Sequence, residues 1–162
     1  MPMLKRPIAF LKDTSGNTML EAAMVTPLLL VLTFGLVDFA TMFYVHLSME
    51  TGISQATRFA VTGATKNDPD NPSIPLSREG TIRAAMQEAA PTLDIAAMTF
   101  NFTHMKPGQT TWSSGAGGPG DIGRVSVEYD WEPLTPIVRP LLTDGKLRVR
   151  VESSMKHESK WE

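Results

Sequence analysis

A glycine and a glutamate five residues apart stand at the entrance of a long apolar run. Gly16 follows a short basic segment, and Glu21 is the only charged residue between Gly16 and Val37. A carboxylate at the mouth of a membrane-spanning helix is energetically expensive, and such residues commonly serve a function. Two kinds of chemistry fit this spacing. One is cleavage of the peptide bond after Gly16, which would leave Asn17 as a new N-terminus, and the other is pairing of the Glu21 carboxylate with an amine.

Both residue types suit that chemistry. Glycine has no side chain to obstruct a peptidase, and it lets the backbone extend before a helix begins. Glu21 lies within about one helical turn of the new α-amino group, so the Asn17 amine of a neighbouring copy would neutralise it in an assembly. Such pairing would offset part of the roughly 2.5–3.5 kcal/mol that a carboxylate costs at mid-membrane. The alternative is a hinge glycine, followed by an interfacial glutamate that favours the helix dipole.

The apolar run that follows is long enough to cross a membrane. Residues 22–45 contain a single charge, Asp38, and about 20 residues span a bilayer core. Pro27 lies inside this helix, removes one backbone hydrogen bond and predicts a bend. Asp38 has two interpretations: an interfacial residue where lipid ends, or a contact with a basic group of another subunit or of an assembly platform. A removed signal peptide fits less well, because its apolar region is only about 7–15 residues long.

The distribution of charge predicts the orientation of the chain. The net charge is −2, but residues 1–16 carry +2, from Lys5, Arg6 and Lys12 against Asp13, and the remainder carries −4. Basic residues are retained on the cytoplasmic side of a membrane, so the N-terminus is predicted to stay inside while the C-terminal part crosses. The acidic remainder gives no electrostatic basis for nucleic-acid binding.

Residues that could hold a metal or catalyse a reaction do not form a recognisable set. The chain has no cysteine, which excludes disulfides, thiolate zinc sites and a cysteine nucleophile. His46, His104 and His157 lie far apart, without the spacing of metal ligands. The glycine-rich segment 115–120 lacks the lysine and hydroxyl residue of a phosphate-binding loop and is interpreted as a flexible loop. The sequence therefore predicts no enzyme, no metal and no cofactor.

Helical periodicity continues beyond the apolar run. Apolar residues recur at spacings of three and four, as on one face of a helix: Met42, Val45, Met49, Ile53, Ala56 and Ala60. The helix is predicted to begin near Asn17 or Thr18 and to end at Gly63, a natural C-cap. Its first half suits lipid, and its second half suits a protein core.

The rest of the chain predicts a small sheet domain. A proline-rich loop spans residues 64–78, and Ser77 is placed to cap a short helix that Pro91 stops. Three alternating stretches, at 98–104, 125–131 and 147–151, predict an antiparallel sheet whose apolar face is covered by the long helix. The predicted fold class is α+β, with a transmembrane and then amphipathic helix packed on the sheet. Its parts are a leader (1–16), a transmembrane helix (17–45) and an extracytoplasmic domain (46–162).

Together these features resemble the TadE-like minor pilins, or pseudopilins, of the tight-adherence (Tad/Flp) pilus system. The motifs that carry the resemblance are the Gly16-to-Glu21 spacing, the proline inside an apolar helix, Gly35–Phe39, Phe43-Tyr44, Ala56–Gly63 and Ile82–Met86. Residues 16–63 are the specific part. The chain departs from the pattern at Ala22, where the family commonly has a bulky residue.

The resemblance implies a bacterial inner-membrane protein with a pilin-like fold and a periplasmic domain. Gly16 would be the last residue of a prepilin-type leader, and a prepilin peptidase would cut before Asn17. Glu21 would be the fifth mature residue. The implied partners are other pilins or pseudopilins, the inner-membrane assembly platform and the bilayer, with hetero- or homo-oligomers formed through the N-terminal helix. The alternative is an uncleaved, single-pass periplasmic binding or scaffold protein. A membrane-tethered enzyme is the least supported reading.

Overall fold

The structure, a computed structural model, describes residues 15–160. All of the predicted leader except its last two residues lies outside this range. The helices are α1 (Ser15–Thr62) and α2 (Arg78–Ala89), and the strands are β1 (Thr99–Met105), β2 (Ser113–Ser114), β3 (Ile122–Trp131) and β4 (Leu147–Lys156). Three 3-10 turns lie at Ile95–Ala97, Arg139–Leu141 and Thr143–Gly145. The predicted α+β fold class is confirmed.

Helix α1 is a single element of 48 residues that continues through Pro27. It begins at Ser15, so the expectation of an extended backbone at Gly16 is wrong. Glycine adopts helical geometry at a modest energetic cost, and the earlier start satisfies the first carbonyl groups inside the helix. The predicted end is confirmed, because Gly63 has a φ of 70°, the left-handed conformation that closes many helices.

Helix α2 forms where the capping signal predicts it. The Ser77 hydroxyl accepts a hydrogen bond from the Gly80 amide at 3.1 Å, which satisfies one free donor of the first turn. Ile82 and Met86 are buried against α1. A Cβ placed on Gly52 of α1 would lie 3.0 Å from Met86 Cγ, so the absence of a side chain there lets the helices approach closely.

The sheet has four antiparallel strands in the order β2-β1-β3-β4. The three predicted strands are present, and the sequence missed β2, a two-residue strand that pairs Ser114 with Thr103 and Ser113 with His104. Two adjacent serines carry no apolar alternation. Only their backbone groups hold them at the sheet edge.

The core lies between α1, α2 and one face of the sheet. Helix α1 packs across β4 and β3, and the Thr57 and Ser153 hydroxyls lie 3.3 Å apart within this contact. The apolar side chains of the core come from both helices and from the sheet: Met49, Ile53, Ala56, Ile82, Met86, Phe102, Val125, Val127, Trp131, Val149 and Val151. The amphipathic half of α1 is therefore the cover that the alternating strands require.

The opposite face of the sheet carries charges of alternating sign. Arg148 bonds Asp130 at 2.9 Å, and Arg124 contacts Glu152 at 3.1 Å. The Arg124 guanidinium also lies 3.8 Å from the centre of the Trp112 ring, which is 37% exposed. Exposed ion pairs contribute little stability each, but opposite charges at paired positions favour one register of the strands.

A polar cluster closes the end of the domain near Thr62, and we call it the distal junction: Arg78, Gly117, Gly118, Asp121 and His157. Arg78 donates to the carbonyl oxygens of Gly117 and Ala60, and it thereby ties α2 to the end of α1. The Gly118 amide donates to Asp121 Oδ2 at 2.8 Å. The glycine-rich loop is bonded to three other parts of the domain, because its carbonyl oxygens contact the side chains of Arg78, His104 and His157.

His157 is one of two buried titratable residues of the distal junction, the other being Asp121. Its side chain is 3% exposed, and its Nδ1 donates to Gly118 O at 3.0 Å. Burial lowers the pKa of His157. The bond to Gly118 opposes this shift, Arg78 and His104 reinforce it, and Asp121 opposes it. The imidazole therefore remains neutral in the folded protein at pH values where an exposed histidine is protonated.

We expect the protein to lose stability as the pH falls below about 6.5, the ordinary pKa of histidine in an unfolded chain. Because the folded-state pKa of His157 is lower, the unfolded chain takes up a proton first. The contribution of His157 to the free energy of unfolding is fully present above about pH 6.5. It is lost progressively as the pH falls from about 6.5 to the pKa of His157 in the folded protein. Urea unfolding of the detergent-solubilised full chain, followed by tryptophan fluorescence, measures this dependence. His157→Gln should reduce the slope of the unfolding free energy against pH, and the control His46→Gln should not. Equal slopes in the wild type and both variants would contradict the assignment of this pH dependence to His157.

Candidate functional site

The first half of α1 projects from the domain and presents apolar side chains to its surroundings. Among the described residues, α1 is the one helix long and apolar enough to cross a membrane. Only 6% of its most apolar 18-residue stretch is buried. Side chains on all sides are exposed, including Met19, Met24, Leu28, Leu32 and Leu36. A helix that is apolar all round and uncovered by protein is typical of a segment that lipid or other subunits surround.

Gly16 and Glu21 lie in the first turns of α1. No atom of the described residues lies within 4 Å of the position that a Cβ on Gly16 would occupy. Glu21 is exposed, and no ion pair joins it to another residue within 15–160. Among residues 15–160, nothing covers either position.

Asp38 lies where the domain first contacts α1, and its carboxylate has a partner within its own chain that neither sequence-based interpretation named. Its side chain is 1% exposed. Oδ1 accepts a hydrogen bond from the Thr135 amide at 3.0 Å, and Oδ2 accepts one from the Thr135 hydroxyl. The carboxylate thus binds a segment of its own chain, the connection between β3 and β4. Two donors from one residue satisfy a group that is costly to bury unpaired.

The helical phase of Asp38 explains this contact. Asp38 precedes Met42 by four residues and therefore belongs to the same face as Val45 and Met49, which faces the core. The sequence contained that signal, because Asp38 extends the predicted apolar stripe by one step. The role of Thr135 was missed, because a threonine in a proline-containing loop carries no sequence pattern that predicts its hydrogen-bond partner.

A second contact joins α1 to the domain just beyond Asp38. The Tyr44 hydroxyl lies 3.0 Å from the Thr92 hydroxyl, and Met42 and Val45 pack against the core cluster. Residues 38–45 of α1 therefore lie against protein on one side. The uncovered apolar segment is 16–37, whose 22 residues extend about 33 Å at 1.5 Å each. That length matches a hydrocarbon core of about 30 Å.

The part of the chain that the structure describes contains no group of three histidine, cysteine, aspartate or glutamate side chains able to hold a metal ion. His46 lies 3.4 Å from Glu50 on α1, whereas His104 and His157 bond backbone carbonyls in the domain. Each histidine thus has a local contact, and the three do not converge.

Comparison with known proteins identifies the same segment. Residues 16–58 match the family model described as TadE-like protein. The match covers about a quarter of the chain and includes Gly16, Glu21, Pro27 and Asp38. The predicted resemblance is confirmed over this range. No curated protein and no solved structure matches the chain.

We expect Thr135→Val to lower the free energy of unfolding by about 1–3 kcal/mol, because it leaves Asp38 Oδ2 buried without its hydroxyl donor. Thr143→Val, at an exposed position in the same connection, is the matched control and should change little. Urea unfolding of the full chain in detergent measures both. Combining Thr135→Val with Asp38→Asn should cost less than the sum of the single changes, because the residues share one interaction. Strict additivity would show that the two side chains are not coupled.

Proposed function

We propose that this chain, whose residues 16–58 are similar to TadE-like proteins, is a pseudopilin or minor pilin needed to assemble Tad pili. The chain is related to the Tad pilus system through its N-terminal helix, and that helix fits membrane anchoring. TadE-like proteins form a structural, non-enzymatic family. In this proposal a prepilin peptidase cuts between Gly16 and Asn17 in the bacterial inner membrane. The mature helix then packs with other pilins.

The observation that carries the proposal is the division of α1 into two halves. Residues 16–37 are apolar and uncovered, and residues 38–62 form one wall of the domain core. A subunit built in this way can insert by its free half and later exchange lipid for the helices of other subunits. The contacts at Asp38 and Tyr44 favour a membrane span at 16–37, shorter than the 17–45 expected from hydropathy.

The proposed orientation follows from charge. With +2 on residues 1–16 and −4 on the remainder, the N-terminus stays in the cytoplasm and the sheet domain lies in the periplasm. Glu21 then lies inside the bilayer, near its cytoplasmic edge. A neighbouring Asn17 amine, or a basic group of the assembly platform, would supply the positive charge that no residue within 15–160 places beside this carboxylate.

One observation favours a second candidate, an uncleaved single-pass protein whose periplasmic domain binds or scaffolds a partner. Helix α1 already includes Ser15 and Gly16. Peptidases bind extended segments, so cleavage after Gly16 requires this first turn to unwind. Glycine lowers the free energy needed for that unwinding by about 1 kcal/mol relative to alanine, because it is a poor helix former.

We expect Gly16→Leu to block leader removal, because leucine adds a bulky side chain at the cleavage position and stabilises the first helical turn. Gly35→Leu is a matched control, since a Cβ at Gly16 or at Gly35 would meet no described atom within 4 Å. The mass and N-terminal sequence of the protein are measured in cells with and without a prepilin peptidase. An unprocessed wild-type protein in cells with an active peptidase would favour the uncleaved alternative, and a normally processed Gly16→Leu variant would remove Gly16 from the cleavage site.

We expect Glu21→Gln to be processed normally but to lose its association with other pilins, because the neutral amide cannot neutralise an incoming N-terminal amine. Glu50→Gln, an exposed position farther along α1, is the control. Crosslinking in intact cells followed by purification of the full-length chain measures the association. Unchanged crosslinking of the Glu21 variant would rule out the charge pairing and leave the cleavage proposal intact.

A further inference from the structure

We propose that the connection between β3 and β4, residues 132–146, forms a second membrane contact beside the exit of α1. It would insert Leu134 and Leu141 into the interfacial layer of the same bilayer. This inference rests on the proposed span of α1 and goes beyond it, since it assigns a lipid-binding surface to the sheet domain. The ligand is the lipid surface itself, bound through apolar side chains.

The first observation is the position of this connection along the axis of α1. Glu158, just after β4, donates from its amide to Val61 O at 3.1 Å, which fixes the end of β4 beside the end of α1. From there β4 runs back for 10 residues, about 33 Å, and α1 from Asp38 to Val61 covers about 35 Å. The beginning of β4 at Leu147 and the end of β3 at Trp131 are therefore level with Asp38.

The hydrogen bond between Asp38 and Thr135 independently places this connection level with Asp38 along the axis of α1. It fixes the residue next to Leu134 at the point where the uncovered apolar half of α1 ends. If 16–37 spans the bilayer, this connection faces the headgroup region. Among residues 15–160, no other connection of the sheet domain is bonded to α1 at this level by a buried carboxylate.

The second observation is the apolar character of the connection. Leu141 is 82% exposed and Leu134 is 68% exposed, the highest values among the large apolar residues at 38–160. Leu141, Leu142 and Leu147 also line an open groove beside the connection. Exposed leucines lower the solubility of a periplasmic domain, and interfacial insertion would remove them from water.

The charged side chains around these leucines balance. The connection contains two basic residues, Arg139 and Lys146, and two acidic residues, Glu132 and Asp144. Lys146 forms an ion pair with Glu132 at 2.7 Å. Lysine and arginine can extend toward lipid phosphates while their stems stay in the interface. The balance indicates that the leucines drive the contact and that anionic lipids are not required.

Spin labelling of the full chain tests the proposal. The chain has no cysteine, so Leu141→Cys carries a single nitroxide in vesicles of phosphatidylcholine and phosphatidylglycerol. Ile74→Cys is the matched control, because Ile74 is an exposed apolar residue (53%) in the loop beyond the far end of α1. Leu29→Cys reports on the span itself. The measurement is the ratio of collision rates with molecular oxygen, which enters lipid, to those with a water-soluble nickel chelate.

We expect the ratio at 141 to lie several-fold above that at 74 and to approach that at 29, in neutral and anionic vesicles alike. A ratio at 141 equal to that at 74, with a lipid-like ratio at 29, would overturn this inference and leave the span standing. A water-like ratio at 29 would overturn the proposed span as well. A label at 141 shielded from both reagents would indicate a contact with a second copy of the chain and would also overturn the lipid contact.

Discussion

The apolar face of the sheet is covered by the second half of α1, and the remainder of the structure depends on this contact. β3 and β4 place Val125, Val127, Val149 and Val151 against it, and α2 closes the side where Gly52 permits a close approach. The same helix provides the uncovered segment before Asp38. The uncovered segment and the segment that covers the sheet are therefore parts of one continuous helix. A change in the position of the first half is carried into the core by the backbone hydrogen bonds of the helix.

The two ends of this contact are fastened by different chemistry. Near Asp38, a buried carboxylate binds the amide and hydroxyl of Thr135. Near Thr62, Arg78 and the Glu158 amide satisfy carbonyl groups of the last turn of α1. Helix ends leave such carbonyls without partners inside the helix, so the distal junction supplies what the helix cannot. With no cysteine in the chain, hydrogen bonds and packing fasten both ends without a disulfide.

The parts that could be predicted from sequence are those with a local or periodic signal. The capping serine before α2, the glycine after α1 and the alternation in β3 and β4 each encode their structure within a few residues. Strand β2 and the fastening of the glycine-rich loop depend on backbone partners distant in sequence, and no side-chain pattern marks them. Asp38 is the intermediate case. Its phase extends the apolar stripe toward the core, and hydropathy places it where the apolar run ends, but neither signal identifies its partner Thr135, 97 residues away. For Gly16 and Glu21 the residue types and spacing remain the basis of the proposed role.

The continuity of α1 also fixes directions around its axis. Asp38 points at the domain, and Glu21 lies 17 residues earlier on the same helix. At about 100° per residue, an ideal helix places Glu21 about 100° away from the domain-facing direction. A neighbour that pairs with Glu21 would thus approach from one flank of the domain, neither beneath it nor opposite to it. Successive subunits added by the same rule would be related by a screw rotation whose hand is set by the side on which Glu21 emerges.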